Sequence, residues 1–395
     1  VDDSEINDGL IFPRERSQPS AFFSDRFDPA MIFRAHTLLA ILGLAAAHGA
    51  DLPKPVPNDE APSRRFLAQV RTLRETARIP GLAVVVLRGT SCVLAEGLGY
   101  ADLADRTPVT PETLFNIASV AKPLSAVVAL RLVELGRLDL DRPLQEFPGY
   151  REYRAEARAA GGLFFRDFDD DPKTPLTLRH LLAMEANGPA GTRFFYNPPA
   201  YSWAFRPLAA AGEAPFSELV ARHVFKPAGM AHSARIHRTL PLRAPLAALL
   251  ARPYHVAPDG SFALSAPPPP QGDGAAGGVI SSALDLARFD RALTEGKLLA
   301  ADSRKTMWTA GRAPDGRELP YGLGWFVKEV NGEKLVWHTG LWDGAYSALY
   351  LKVPGRDLTL ILLANSDGLR WEQRLDEAAI ERSPFATAFL ADFPR

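Results

Sequence analysis

The sequence predicts an α+β fold of the α/β/α sandwich type. One antiparallel sheet is built from both ends of the chain and covered by the first and last helices, with a mostly helical lobe inserted between. Three observations carry this. Strand-like runs gather between Leu82 and about Asp105 and again from Tyr321 onward. The stretch from Lys122 to about Phe289 is helical and loop-rich. Helical segments stand outside both groups of strands, from Ser63 and from Leu369 to about Leu390. Strands at both ends flanking a helical middle pair most simply into one sheet with an inserted lobe. The expected boundaries are 60–118 with 315–395 for the sheet domain and 119–314 for the helical lobe, preceded by residues 1–50.

A chain of 395 residues is long enough for one large or two intimate domains with a substantial core. Its 47% hydrophobic and 23% charged residues are those of a soluble globular protein. A net charge of −1 gives no argument for nucleic acid or an acidic membrane surface. The single cysteine, Cys92, excludes an internal disulfide and a Cys-based zinc site, and its apolar strand-like surroundings make it a core residue.

Residues 1–30 are polar. Met31 to His36 provide a short basic start, Thr37 to Ala47 an apolar stretch, and Gly49 and Ala50 small residues for cleavage. These are the parts of a secretory signal over 31–50, with Met31 the expected start, 1–30 an upstream extension and export to the periplasm or medium. The apolar run is too short for a stable membrane anchor. The alternative is an ordinary N-terminal helix of a cytosolic protein.

Pro53 to Pro62 is a linker. Ser63 then caps a helix with Phe66, Val70, Leu73 and Ala77 on one face, broken by Pro80-Gly81. Leu82–Leu87, Ser91–Ala95 and a third stretch from Gly97 to about Asp105 form a meander. Thr107 to Thr113 is a rigid loop. Leu124–Leu135 is a buried helix ended by Gly136, and residues 148–175 are a polar insertion. Its acidic run, Asp167 to Asp171, lacks the glycine turn and distal Glu of a calcium loop and reads as solvated. Helices follow at Leu176–Met184, about Trp203–Ala211 and Phe216–Phe225. His223, His232 and His237 lack zinc-site spacing. Pro267–Pro270 is a polyproline surface segment and Gly272–Gly278 a glycine-rich turn without P-loop order. Ser282 caps the next helix, with Asp285 at N3. Leu323–Val330, Lys334–His338, Tyr346–Val353 and Leu358–Ala364 are strands, the first two joined by the hairpin dipeptide Asn331-Gly332.

The chemistry concentrates at Ser119. A lysine stands three positions later, at the start of a helix, so Lys122 shares a face with the hydroxyl. A serine needs a neighbouring base to become a nucleophile, and a lysine serves if burial and the helix's positive end lower its pKa. Free N–H groups of the first turn suit an oxyanion. The competing reading is that Ser119 is merely an N-cap. Pro123 is compatible with either, since a first-turn proline removes only an unpaired N–H.

Several motifs in order resemble the serine β-lactamase and penicillin-binding family, specifically its class C-like branch, which includes family VIII carboxylesterases, D-aminopeptidases and D-alanyl-D-alanine carboxypeptidases. The resemblance covers most of 63–366. Thr113 to Pro123 looks like the first motif, Gly191 to Tyr201 the second, and His338-Thr339-Gly340 the third. Leu176–Leu182, Ala276–Ser282 with Asp285–Phe289, and Tyr321–Trp325 are similar to accompanying segments. The resemblance implies a β-lactamase/transpeptidase-like fold, Ser119 as acylated nucleophile, Lys122 as proton acceptor and Tyr196 as second acid/base, with its phenolate stabilised beside the ammonium. It places His338, Thr339 and Gly340 on the strand lining the cleft and the N–H groups of Ser119 and Leu341 in the oxyanion hole. Alone, Tyr196 reads as a core aromatic and His338 as a strand-end residue bonded to a loop.

Two departures bear on substrate. Tyr196-Asn197-Pro198 stands where the family reads Tyr-Ser-Asn, and Asn197 substitutes only if the loop shifts. His338 stands where penicillin-recognising members carry lysine. Together they favour esters or neutral amides. The expectation is a serine hydrolase without metal or cofactor, acting on short acyl esters. The alternatives are a β-lactamase or D-amino-acid amidase/peptidase, a slow or non-turnover penicillin-binding-like protein, or a degenerate interaction module. No Gly-x-Ser-x-Gly elbow is present.

Overall fold

A seven-stranded antiparallel sheet joins the two ends of the described chain. The computed structural model describes residues 61–394 except 166, 169–172, 373, 375 and 376, so the expected signal at 31–50 and Asp169–Asp171 lie outside the described residues. In chain order come α1 (Ala61–Thr76), β1 (Gly81–Arg88), β2 (Ser91–Asp102), β3 (Thr107–Pro108), β4 (Leu114–Asn116), a 3₁₀ turn (Ala118–Val120) and α2 (Ala121–Glu134). The middle holds α3 (Tyr150–Ala160), α4 (Leu178–Leu182), α5 (Pro198–Trp203), α6 (Phe205–Gly212), α7 (Phe216–Val220), α8 (Lys226–Ala228), β5 (Ala234–Arg235), β6 (Tyr254–Val256) and β7 (Phe262–Leu264). Then follow β8 (Val279–Ser282), α9 (Ala283–Thr294), α10 (Ala301–Met307), β9 (Gly311–Arg312), β10 (Glu318–Leu319), β11 (Phe326–Val330), β12 (Glu333–Trp342), β13 (Tyr346–Val353), β14 (Leu358–Ala364) and α11 (Pro384–Asp392).

The sheet order is β11-β12-β13-β14-β1-β2-β3. The seam between the chain's two ends is β1 on β14, in register from Leu82 opposite Ala364 to Arg88 opposite Leu358. Residues 81–87 and all of β14 are buried, which explains why both read as apolar runs rather than alternating ones, with Thr359 of β14 the exception. Helix α1 lies on β2 and against α11, and α9 lies on β1 and β14. Phe66 of α1 meets Phe389 and Phe393 edge to face, with ring centroids 5.5 and 5.9 Å away. At the hairpin between β11 and β12, Asn331 and Gly332 both take positive φ, as a two-residue turn of primed type requires.

A second sheet, β4-β8-β5, is what sets the site. Pairing of Leu114–Asn116 with Ile280–Ser282 delivers the chain to Ala118 beside the segment that opens α9. As expected, Ser282 caps α9, its hydroxyl accepting from Asp285 N at 3.1 Å.

Five expectations are corrected. Ser63 is buried inside α1, and its hydroxyl donates to Val93 O at 3.4 Å rather than capping the helix. Residues 91–102 are one continuous strand, not two. The polar insertion contains α3, whose Tyr150, Tyr153 and Ala157 bury one face at helical spacing. No helix spans 369–379 among the described residues; the last one begins at Pro384, with Ser383 as its cap. Helix α9, expected within the inserted lobe, packs on the sheet.

Candidate active site

The nucleophile turn is a tight one. Ala118 is held at φ +46°, an unusual angle for a residue with a Cβ, and its N–H donates to the Asn116 side chain at 3.0 Å. The chain then closes a 3₁₀ turn through Ser119 and enters α2, which is buried almost all round because its residues from Ala121 to Leu130 are apolar but for Lys122 and Ser125. Ser119 keeps part of its surface open, whereas Lys122 has none.

Lys122 Nζ lies 2.7 Å from Ser119 Oγ and 3.1 Å from the Ala276 carbonyl, to which it donates. The faces of Tyr196 and Tyr201 approach it, with ring centroids 5.1 and 5.6 Å away. Among the described residues no carboxylate pairs with it, and burial holds its pKa well below that of an ordinary lysine. A neutral amine so placed has a lone pair for the serine proton.

The Tyr196 hydroxyl faces Ser119. Burial raises its pKa above that of a free phenol, and the Ser119 side chain offsets this only in part. Burial thus works against the phenolate that the resemblance implies for Tyr196 and against an ammonium at Lys122. The Tyr196 ring stacks on Phe326 at 5.8 Å.

Strand β12 supplies the facing wall. Its pairing with β11 ends at Trp337 opposite Phe326, so 338–342 runs on without β11 and packs along the 3₁₀ turn of Ser119. Gly340 makes that approach possible, because a Cβ there would lie 2.2 Å from Ile117 O. Thr339 and Leu341 flank it on the same strand. His338 is fully buried. Its Nδ1–H donates to Thr339 O at 2.6 Å, which leaves Nε2 to accept from the Tyr321 hydroxyl at 2.9 Å. Burial first, then the nearby Lys122, push its pKa well below the usual histidine range. His338 is thus a neutral ring locked behind the cleft wall: of its two readings, substrate-side residue of the cleft strand or structural residue bonded to a loop, the hydrogen bonds build the second.

Asn197 is also placed differently. Its Oδ1 accepts from Ala200 N at 3.0 Å, capping α5, while Nδ2 donates to Phe164 O and Asn187 Oδ1 at 2.8 and 2.9 Å. Pro198 occupies the first turn, where it suits the helix. The expected substrate-binding role for Asn197 gives way to holding the Tyr196 loop.

Three participants had no assigned role in the sequence. Tyr201 donates to the Lys122 backbone carbonyl at 3.0 Å; its place five residues after Tyr196 was the available signal. Tyr321 fixes the His338 tautomer. Ala276 contributes only a carbonyl, which no residue type announces.

The Beta-lactamase family model matches residues 66–383. Penicillin-binding protein 4* of Bacillus subtilis (strain 168) is 26% identical over 348 residues, 78% of this chain and 73% of that protein. Esterase EstB of Burkholderia gladioli is 37% identical over 87 residues, 22% of each. Among solved structures, a beta-lactamase/D-alanine carboxypeptidase from Pseudomonas syringae superposes with TM-score 0.64 at 18% identity, over 84% of this chain and 99% of that one. At that identity the last likeness is one of fold.

Proposed function

From a chain that belongs to the β-lactamase family of serine hydrolases, we propose an enzyme that cleaves short acyl esters through an acyl-enzyme on Ser119. The observation that carries the reading is the 2.7 Å contact between Ser119 Oγ and a buried Lys122 that pairs with no carboxylate among the described residues. Ser119 Oγ attacks the ester carbonyl carbon as its proton passes to Lys122 Nζ. The N–H groups of Ser119 and Leu341, beside Gly340 and Thr339, receive the oxyanion. Lys122 returns the proton through the Tyr196 hydroxyl to the departing alkoxide, leaving the acyl group on Ser119 and the amine neutral. Water then attacks the acyl carbonyl, gives its proton to the same relay, and Ser119 leaves as a hydroxyl.

The ester preference rests on what faces the cleft. His338 is neutral with both nitrogens engaged, so it offers no cation for a substrate carboxylate. The Asn197 amide is committed to capping α5 and to Phe164 and Asn187. A β-lactam or D-amino-acid amide substrate is the second reading; the penicillin-binding name of the Bacillus subtilis relative favours it. We also propose export directed by 31–50, tested by N-terminal sequencing of native protein: an intact 32–48 segment refutes it.

The test is p-nitrophenyl butyrate hydrolysis by the wild type and Ser119→Ala, followed by β-lactams and D-alanyl amides. Loss in the variant with esters preferred supports the reading. Equal rates in both proteins remove Ser119 as nucleophile, and turnover of β-lactams alone selects the second reading.

A further inference from the structure

We infer that Arg235 is a positioning residue for the Ser119–Lys122 pair: its guanidinium clamps the 273–278 loop, and that loop's Ala276 carbonyl aims the lysine amine. The inference rests on the reading above.

Arg235 sits on β5 with a side chain 2% exposed. One nitrogen donates to Asp273 Oδ1 at 2.7 Å and Gly274 O at 2.9 Å, and the other donates to Gly277 O. The guanidinium lies on the Phe216 ring, 5.0 Å from its centroid. Residues on both sides of Ala276 are therefore held by one cation. Ala275 between them is pinned as well, its carbonyl accepting from Ser125 of α2 at 2.7 Å and its N–H donating to Ser202 O of α5 at 3.0 Å.

The segment needs such restraint because Gly274, Gly277 and Gly278 leave its backbone free to adopt many conformations. Its link to the chemistry is the 3.1 Å bond from Lys122 Nζ to Ala276 O. A neutral amine has two N–H bonds and one lone pair. Committing an N–H to Ala276 O turns the lone pair toward the Ser119 hydroxyl, and the same carbonyl holds the ammonium once the proton arrives. The polar partners of Arg235 are Asp273, Gly274 and Gly277, so it acts on Lys122 through the loop. Because the Lys122 relay serves both steps, its removal should slow acylation and deacylation alike and leave ester binding alone.

The experiment compares wild type, Ser119→Ala, Arg235→Met, Arg235→Lys and Asp273→Asn. It reads kcat and KM for p-nitrophenyl butyrate, the rate of Ser119 labelling by a fluorophosphonate, and the thermal midpoint. Arg235→Met is expected to lose about 100-fold in kcat and in labelling rate, the scale of a reacting group misplaced by about 1 Å, with KM within about twofold. Arg235→Lys, which can reach Asp273 and one carbonyl, should recover part of both. If Arg235→Met does not fold, Asp273→Asn decides, with a loss of about 10-fold in both rates at unchanged KM. A folded Arg235→Met, or failing that Asp273→Asn, with wild-type kcat and labelling, or with a change in KM alone, overturns the inference while leaving Ser119 as nucleophile. Wild type that labels at Ser119 without hydrolysing ester is judged on the labelling rates. Wild type that neither labels nor hydrolyses overturns the proposed function and this inference together.

Discussion

Gly340→Ala should cost far more activity than stability. The added Cβ would stand 2.2 Å from Ile117 O and 3.3 Å from Ala118 Cβ. The first neighbour is backbone, directly ahead of the nucleophile, and cannot rotate away. Restoring ordinary contact requires β12 and the Ser119 turn to part by about 1 Å, a shift that can cost about 100-fold when it separates groups that must react together. The same overpacking should cost roughly 1–3 kcal/mol of stability, leaving the protein folded. The assay is kcat/KM for p-nitrophenyl butyrate beside a urea unfolding curve, with Ser119→Ala as the floor. A folded Gly340→Ala protein with wild-type kcat/KM would refute the claim that this contact aligns the oxyanion strand with the nucleophile.

Two pH responses follow from buried groups. Because burial holds the Lys122 pKa well below 10.5, ester hydrolysis should fall on the acid side, as the amine takes a proton, at a pH well below the one an ordinary lysine would set, and the pH–rate profile distinguishes the two. Glu185 is buried with Oε1 unpartnered, and burial raises its carboxyl from 4.5 to about 7. Between those values the folded state binds more protons than the unfolded one, so stability falls as pH rises through this window, by up to about 3 kcal/mol. Glu185→Gln should flatten that slope in urea titrations at pH 4.5, 6 and 7.5, and an unchanged slope would discount the buried carboxyl.

The parts of the structure legible in sequence are those written in side-chain pattern. The run Leu82–Leu87 and the strand Leu358–Ala364 announce themselves because burial on both faces selects apolar residues at all but Thr359. Asn331-Gly332 announces its turn because few other pairs take two positive φ angles cheaply. Ser119 and Lys122 were found because three residues of helix put them on one face, and the structure brings them to 2.7 Å. Helix α3 was legible but hidden: Tyr150, Tyr153 and Ala157 carry the period, amid charges that read as loop. What sequence could not supply was written in backbone. The acceptor for Lys122 is a carbonyl of Ala276, and the Arg235 clamp closes on the carbonyls of Gly274 and Gly277. His338 and Asn197 were located on the right segments but left with open roles, because a motif fixes position along the chain and not whether a ring nitrogen or amide is already occupied.

The central claim, a covalent acyl-enzyme on Ser119, is tested most directly by acid-quenching the protein milliseconds after mixing with p-nitrophenyl butyrate and mapping the adduct by peptide mass spectrometry. The account predicts one butyryl group on the peptide containing Ser119, accumulating in wild type and absent from Ser119→Ala. Butyrylation on another residue, or nitrophenol released by wild type at a rate that Ser119→Ala matches, would contradict it.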